Sequence, residues 1–198
     1  MSKIYKELIK NIDISLKSSG FELKGDTFYM KKANNWGIIN FQKSRSSTSL
    51  DTLFTINLGI SSSVLRRYEG FSESEKAIIG ECHWSKRIGF TLEQKQDHWW
   101  AIDANTKLDK LSNEIVMVLT KFAIPELEKH LSDESLESEW LNDEGAGLTD
   151  LQIYVNLTTL LKLKNSDKLS EVIERIRKDV ANKSCKNSFE IHLKELLK

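Results

Sequence analysis

The sequence predicts an α+β fold: an antiparallel sheet of about five strands, covered on one face by an N-terminal helix and a long helix, then a C-terminal helical extension. Three observations predict it. Apolar residues recur every four positions at the start of the chain. Between residues 21 and 102 they alternate with polar residues in short runs joined by short polar turns, so the strands pair as hairpins. From Leu108 onward the 3.6-residue period returns.

Residues 3–18 carry Ile4, Leu8, Ile12 and Leu16 on one stripe, with Tyr5 and Ile9 beside them. Gly20 is placed to end that helix in the left-handed conformation. Phe21–Leu23 and Thr27–Lys31 flank Lys24-Gly25-Asp26, a hairpin signal. Residues 36–43 read as a longer strand, and the serine-rich stretch 43–49 as a loop. In residues 51–61, Phe54, Ile56, Leu58 and Ile60 face one way; Thr55, Asn57, Gly59 and Ser61 face the other. Val64–Tyr68 suits either a short helix or an edge strand. Cys82–Phe90 and Asp97–Ile102 read as strands around a polar turn.

A long helix follows over 105–131, through Leu108, Leu111, Ile115, Val118, Leu119 and Phe122. Pro125 lacks a backbone donor and should kink or restart it. Glu144-Gly-Ala-Gly147 reads as a hinge. Thr149 with Gln152 forms a capping box for the next helix; Ser166 and Ser188 are candidate caps for two more. The expected organisation is a sheet domain over 1–131, an acidic linker or short helix over 132–147 and a helical module over 148–198.

The 198 residues include 29 basic and 29 acidic side chains, for zero formal charge. That balance argues against dedicated nucleic-acid binding, which needs a basic surplus or face. Lys129 stands among Glu126, Glu128, Asp133, Glu134, Glu137, Glu139, Asp143, Glu144 and Asp150. Such a run reads either as a solvated helix face or as an acidic docking surface. Cys82 and Cys185 are far apart and have no metal-ligand spacing, so neither a disulfide scaffold nor a metal site is expected. The N-terminus has no apolar signal region, and no stretch approaches a membrane span, so a cytoplasmic protein without membrane association is expected.

No phosphate-binding loop, paired-histidine motif or nucleophile elbow is present, and no cofactor or catalytic residue is expected. His83, His98, His130 and His192 are not spaced as a helical metal pair. The informative pattern is the second sheet face. Alternation groups Trp36, Ile38, Asn40 and Gln42; Thr55, Asn57 and Ser61; His83, Ser85 and Arg87; and either Asp97 with Trp99 or His98 with Trp100. Amides supply paired donors and acceptors, arginine a planar fork, and tryptophan a flat apolar platform. Three readings fit this face: an ordinary solvated surface, a bed for the C-terminal helices, or a ligand or partner site. The candidate binding residues are Asn40, Gln42, Asn57, His83, Arg87, Trp99 and Trp140; the last, in the acidic segment, reads either as an exposed anchor or as packing back onto the helical module.

Four blocks carry a family resemblance: Gly20-Phe21 with Gly25-Asp26-Thr27-Phe28-Tyr29, then Asn40-Phe41-Gln42-Lys43-Ser44, then Asn57-Leu58-Gly59-Ile60, and last Cys82 to Gly89 with Asp97-His98-Trp99-Trp100. Over roughly residues 5–125 the chain resembles the bacterial family called domain of unknown function 4304. The resemblance implies no reaction. It draws attention to Asn40, Gln42, Lys43, Asn57, Arg87 and Trp99 or Trp100. The function expected is a non-enzymatic module engaging a protein partner, for instance as a toxin antagonist. The alternative is a small anionic ligand-binding protein or a weakly marked enzyme using the polar sheet face, with the anion held by Arg87 and His83 as the candidate for proton transfer.

Overall fold

The computed structural model describes residues 3–48, 51–72 and 75–198. Helix α1 (Lys3–Lys17) buries Tyr5, Leu8, Ile9, Ile12 and Leu16. Gly20, at φ +81°, closes it: its N–H donates to Lys17 O and the Phe21 N–H to Leu16 O, two carbonyls left over at the helix end.

The sheet is fully antiparallel. It comprises β1 (Glu22–Lys24), β2 (Thr27–Lys32), β3 (Asn35–Lys43), β4 (Thr52–Ser61), β5 (Trp84–Arg87) and β6 (Trp100–Ile102). β1 to β5 lie side by side in chain order, and β6 also pairs with β4. Residues 57–60 of β4 pair with β5, and residues 52–54 with β6. The two short strands therefore share one flank of β4, and the chain leaves the sheet between them. The strands expected at 82–90 and 97–102 shorten accordingly; Ile88–Phe90 forms a 3₁₀ turn. Val64–Tyr68 resolves as helix α2 (Ser63–Tyr68), capped by the Ser62 hydroxyl. The last residue of the serine-rich loop, Ser49, lies outside the described residues.

One sheet face carries Phe28, Ile39, Phe41, Phe54, Ile56, Leu58 and Ile60, all buried. Over it lie α1 and the helix expected at 105–131. That helix is divided into α3 (Leu108–Val118), a wide π turn over Leu119–Ala123, and α4 (Ile124–His130). The break falls where Pro125 would otherwise drive its ring into a carbonyl of the preceding turn, and the wider turn accommodates it.

The other face is divided. At one end Tyr29, Ile38, Ala77 and Cys82 form a second small apolar cluster, with Trp36 and Ile79 against it. The segment around 77–82 reaches the sheet there because Gly59 has no side chain: a Cβ at Gly59 would lie 2.5 Å from Cys82 Sγ. The opposite end of this face stays open.

The remaining chain forms α5 (Asp133–Leu141), α6 (Asp150–Leu163), α7 (Leu169–Asp179) and α8 (Lys186–Leu196). Thr149 and Gln152 close the expected capping box. α7 and α8 begin after Lys168 and Cys185, so Ser166 lies ahead of the first cap and Ser188 inside the first turn of α8. These helices do not lie across the open face. They abut the free edge of β5, where the Ser85 N–H donates to Ala146 O at 3.0 Å. Their core side chains Trp140, Leu157, Leu161 and Phe189 join the same apolar cluster as the sheet.

The acidic run holds this assembly together. Glu126 pairs with Lys86, Glu128 with Lys32, Glu137 and Glu134 with Lys164, Asp143 with Arg175 and Asp150 with Lys183. Among the described residues no helix is long and apolar enough to cross a membrane.

Candidate functional site

The open end of the second face is built by strand register. Thr27, Asn40, Asn57 and Arg87 are successive cross-strand partners on β2, β3, β4 and β5. Cross-strand partners project to the same side, so the four form one transverse row. Gln42 faces Thr55 one step along. Asn40 Nδ2 donates to Thr27 Oγ1 at 2.9 Å, and Asn57 Nδ2 to Gln42 Oε1 at 2.8 Å. These bonds hold the amides in fixed orientations while leaving Gln42 exposed and Asn40 and Asn57 half-exposed.

The segment between β5 and β6 returns over the end of this row. Thr55 Oγ1 donates to His98 O at 2.8 Å and pins the segment to β4. Asp97 Oδ2 then accepts from Arg87 Nη1 and from Trp99 Nε1, each at 2.8 Å. The Arg87 guanidinium lies 5.5 Å from the centre of the Trp99 ring, in cation–π range. Slight desolvation would raise the Asp97 carboxyl, but the Trp99 and Arg87 hydrogen bonds and the Arg87 charge outweigh it and hold the group below its ordinary value. Trp99 remains 38% exposed, and Leu53, on the same side of β4 as Thr55 and Asn57, is exposed as well. The result is a shallow face of amides, an arginine and an indole with an apolar margin.

The structure therefore brings together Asn40, Gln42, Asn57, Arg87 and Trp99. It places two other candidates elsewhere. His83 is at the opposite, covered end, 3% exposed; its Nδ1 accepts the Ser62 N–H at 3.0 Å and its Nε2 faces Glu69 Oε1 at 3.2 Å. It cannot serve chemistry at Arg87. Trp140 is fully buried, which corrects its reading as an exposed anchor. Its position in α5 turns the indole into the core, although its neighbours in sequence are acidic. Trp100 is likewise a core residue, stacked on Phe54 with its indole N–H on Glu114 Oε1. Sequence reasoning missed Thr27 and Leu53; the β2 and β4 registers were the only signal for them.

The family match extends over most of this framework. A family model described as a domain of unknown function (DUF4304) matches residues 12–129. The chain belongs to the DUF4304 family. No curated protein and no solved structure matches it. The DUF4304 segment contains every residue of the open face, the 77–82 cover, helix α3 and all of α4 but its last residue, His130. Trp140 and the helices α5 to α8 lie beyond the DUF4304 match.

Three basic residues of the sheet region are paired. Lys43 pairs with Asp26, Lys86 with Glu126 and the buried Arg66 with Glu81. Burial pushes the Cys82 thiol up to about 12, so it supplies no thiolate at neutral pH.

Proposed function

We propose that this protein is a non-catalytic binding module whose open sheet face docks a protein partner. The observation that carries the reading is the transverse row Asn40–Asn57–Arg87 ending against Trp99. Arginine and tryptophan are the residue types that dominate protein interfaces, and oriented amides add directional contacts around them. The side chains of the row stand along one face of the sheet and all keep some exposure, as suits a protein surface better than an enclosed small molecule.

For a small anionic ligand the charge of Arg87 is already partly offset by Asp97, which accepts from its Nη1. The acidic stretch gives less support to docking of a basic target, because most of its carboxylates are engaged by cations of the same chain. An antagonist of a toxin would accordingly use the open face.

The experiment is affinity capture from extract of the native host, comparing the wild-type chain with Arg87→Ala and Asn57→Asp. A partner retained by the wild type and lost at least tenfold from both variants, with unchanged melting temperatures, supports the reading. Equal capture by all three removes it.

A further inference from the structure

A second site lies at the covered end of the sheet, on residues that the proposed partner face does not use. A groove of about 450 Å³ runs between the first two turns of α6 and a side formed by Glu69, Phe71 and residues 80–83. One wall is the α6 face carrying Leu151, Gln152, Val155 and Asn156; Phe71 and Leu148 add apolar surface. The other wall carries Glu69 and Glu81, with His83 between them.

The charges of this groove are set by fixed hydrogen bonds. Arg66, itself buried, donates to Glu81 Oε2 at 2.9 Å, so Glu81 is neutralised from behind. His83 accepts the Ser62 N–H on Nδ1, which places its ring proton on Nε2, toward Glu69. Glu69 thus receives a hydrogen bond from a ring whose other nitrogen is already an acceptor; no lysine or arginine lines the groove, and the nearby Arg66 guanidinium lies over the Phe71 ring, 3.6 Å from its centre, with its hydrogen bond going to Glu81. A half-exposed carboxylate held in place by a buried imidazole, opposite an apolar helix face, selects for positive charge and for an aliphatic or flat apolar body. Gln152 Oε1 is occupied by Thr149 N–H and its hydroxyl, so the Gln152 amide presents donors and its carbonyl stays committed to the cap.

We propose that this groove binds a small organic cation with an apolar stem, an alkylguanidinium or alkylammonium. The head pairs with Glu69 and the stem lies along Leu151 and Val155 against Phe71. The Glu69 carboxylate disfavours anions in the groove.

The test uses n-butylguanidinium as the probe, followed by amide NMR shifts of the full chain. Bare guanidinium and butyrate serve as controls. The expected result is saturable shifts confined to His83, Leu151, Gln152, Val155 and Asn156, with affinity at least tenfold weaker in Glu69→Gln. Val155→Trp, which fills the groove, should abolish the shifts while leaving Glu69 in place, and it decides the matter if Glu69→Gln fails to fold. No saturable shifts up to about 10 mM probe, weaker than any useful site, overturns the proposal. So does equal binding of butyrate, or undiminished binding in both variants. None of these outcomes touches the open face, since none of its residues lines the groove.

Discussion

Glu139 Oε1 accepts the indole N–H of Trp84 at 3.1 Å, and so joins a helix beyond the DUF4304 match to strand β5. The same carboxylate accepts the Ala146 N–H at 3.4 Å and lies 2.6 Å from His130 Nδ1, whose ring stacks on Trp84 with centroids 4.5 Å apart. One nearly buried acid thereby serves three elements.

Glu139→Ala should cost about 3 kcal/mol of folding stability, because it strands the Trp84 donor and removes the partner of His130. Urea unfolding measures it; a loss below about 1 kcal/mol would show the network to be inert. The pH dependence has a fixed sign. Burial raises the Glu139 carboxyl, but His130, Ala146 and Trp84 together bring it below its ordinary value of 4.5. A depressed carboxyl stabilises the fold above its unfolded value and loses that contribution as pH falls through the folded value. The gap between wild type and Glu139→Gln should therefore narrow on acidification below about 4.5.

Gly59→Ala should destabilise by about 1–3 kcal/mol through overpacking. The new methyl would meet Cys82 Sγ at 2.5 Å and Ile79 Cδ1 at 2.8 Å. Combining it with Cys82→Ala should recover part of the loss. Additive losses in the double variant would mean that the sulfur is not the obstacle.

Arg87→Ala should leave stability within about 0.5 kcal/mol, since the pair with Asp97 is surface-exposed. It should nonetheless move the Asp97 carboxyl upward in a carbon-detected NMR titration, because Arg87 is one of the groups that hold it low. An unmoved titration would mean that Arg87 does not face Asp97 in solution.

Thr149→Ala removes the hydroxyl that accepts the Gln152 N–H at the start of α6. The expected cost is about 1 kcal/mol, read as a lower melting temperature with the sheet signals unchanged just below the transition.

Much of this architecture is legible from periodicity. The alternation in β3 and β4 sets the faces, and it places Asn40, Gln42 and Asn57 together because β-pairing leaves no other option once the apolar row is buried. The 3.6-residue stripes of α1 and α3 are equally direct. Long-range choices are not local signals. The acidic neighbours of Trp140 do not indicate that it is buried, since α5 packs against α6 and α4. His83 obeys the alternation and still leaves the shared site, because the 77–82 segment covers that end of the face. Gly59, read simply as a member of the polar row, was the mark of that cover. Asn35, buried, donates to Leu131 O and Asp133 Oδ1 and accepts the Ser63 N–H; a tertiary clasp of this kind has no sequence period at all.

The bond from Ser85 N–H to Ala146 O has a consequence for solubility at high concentration. A free strand margin with unpaired amides invites another molecule to add its own strand. Here the margin along the four-residue β5 is met at Ser85 by the chain's own backbone, and the margin at the far side includes the three-residue β1. Severing the helices beyond residue 131 would uncover the β5 margin, so a fragment restricted to the family match should self-associate more readily than the full chain.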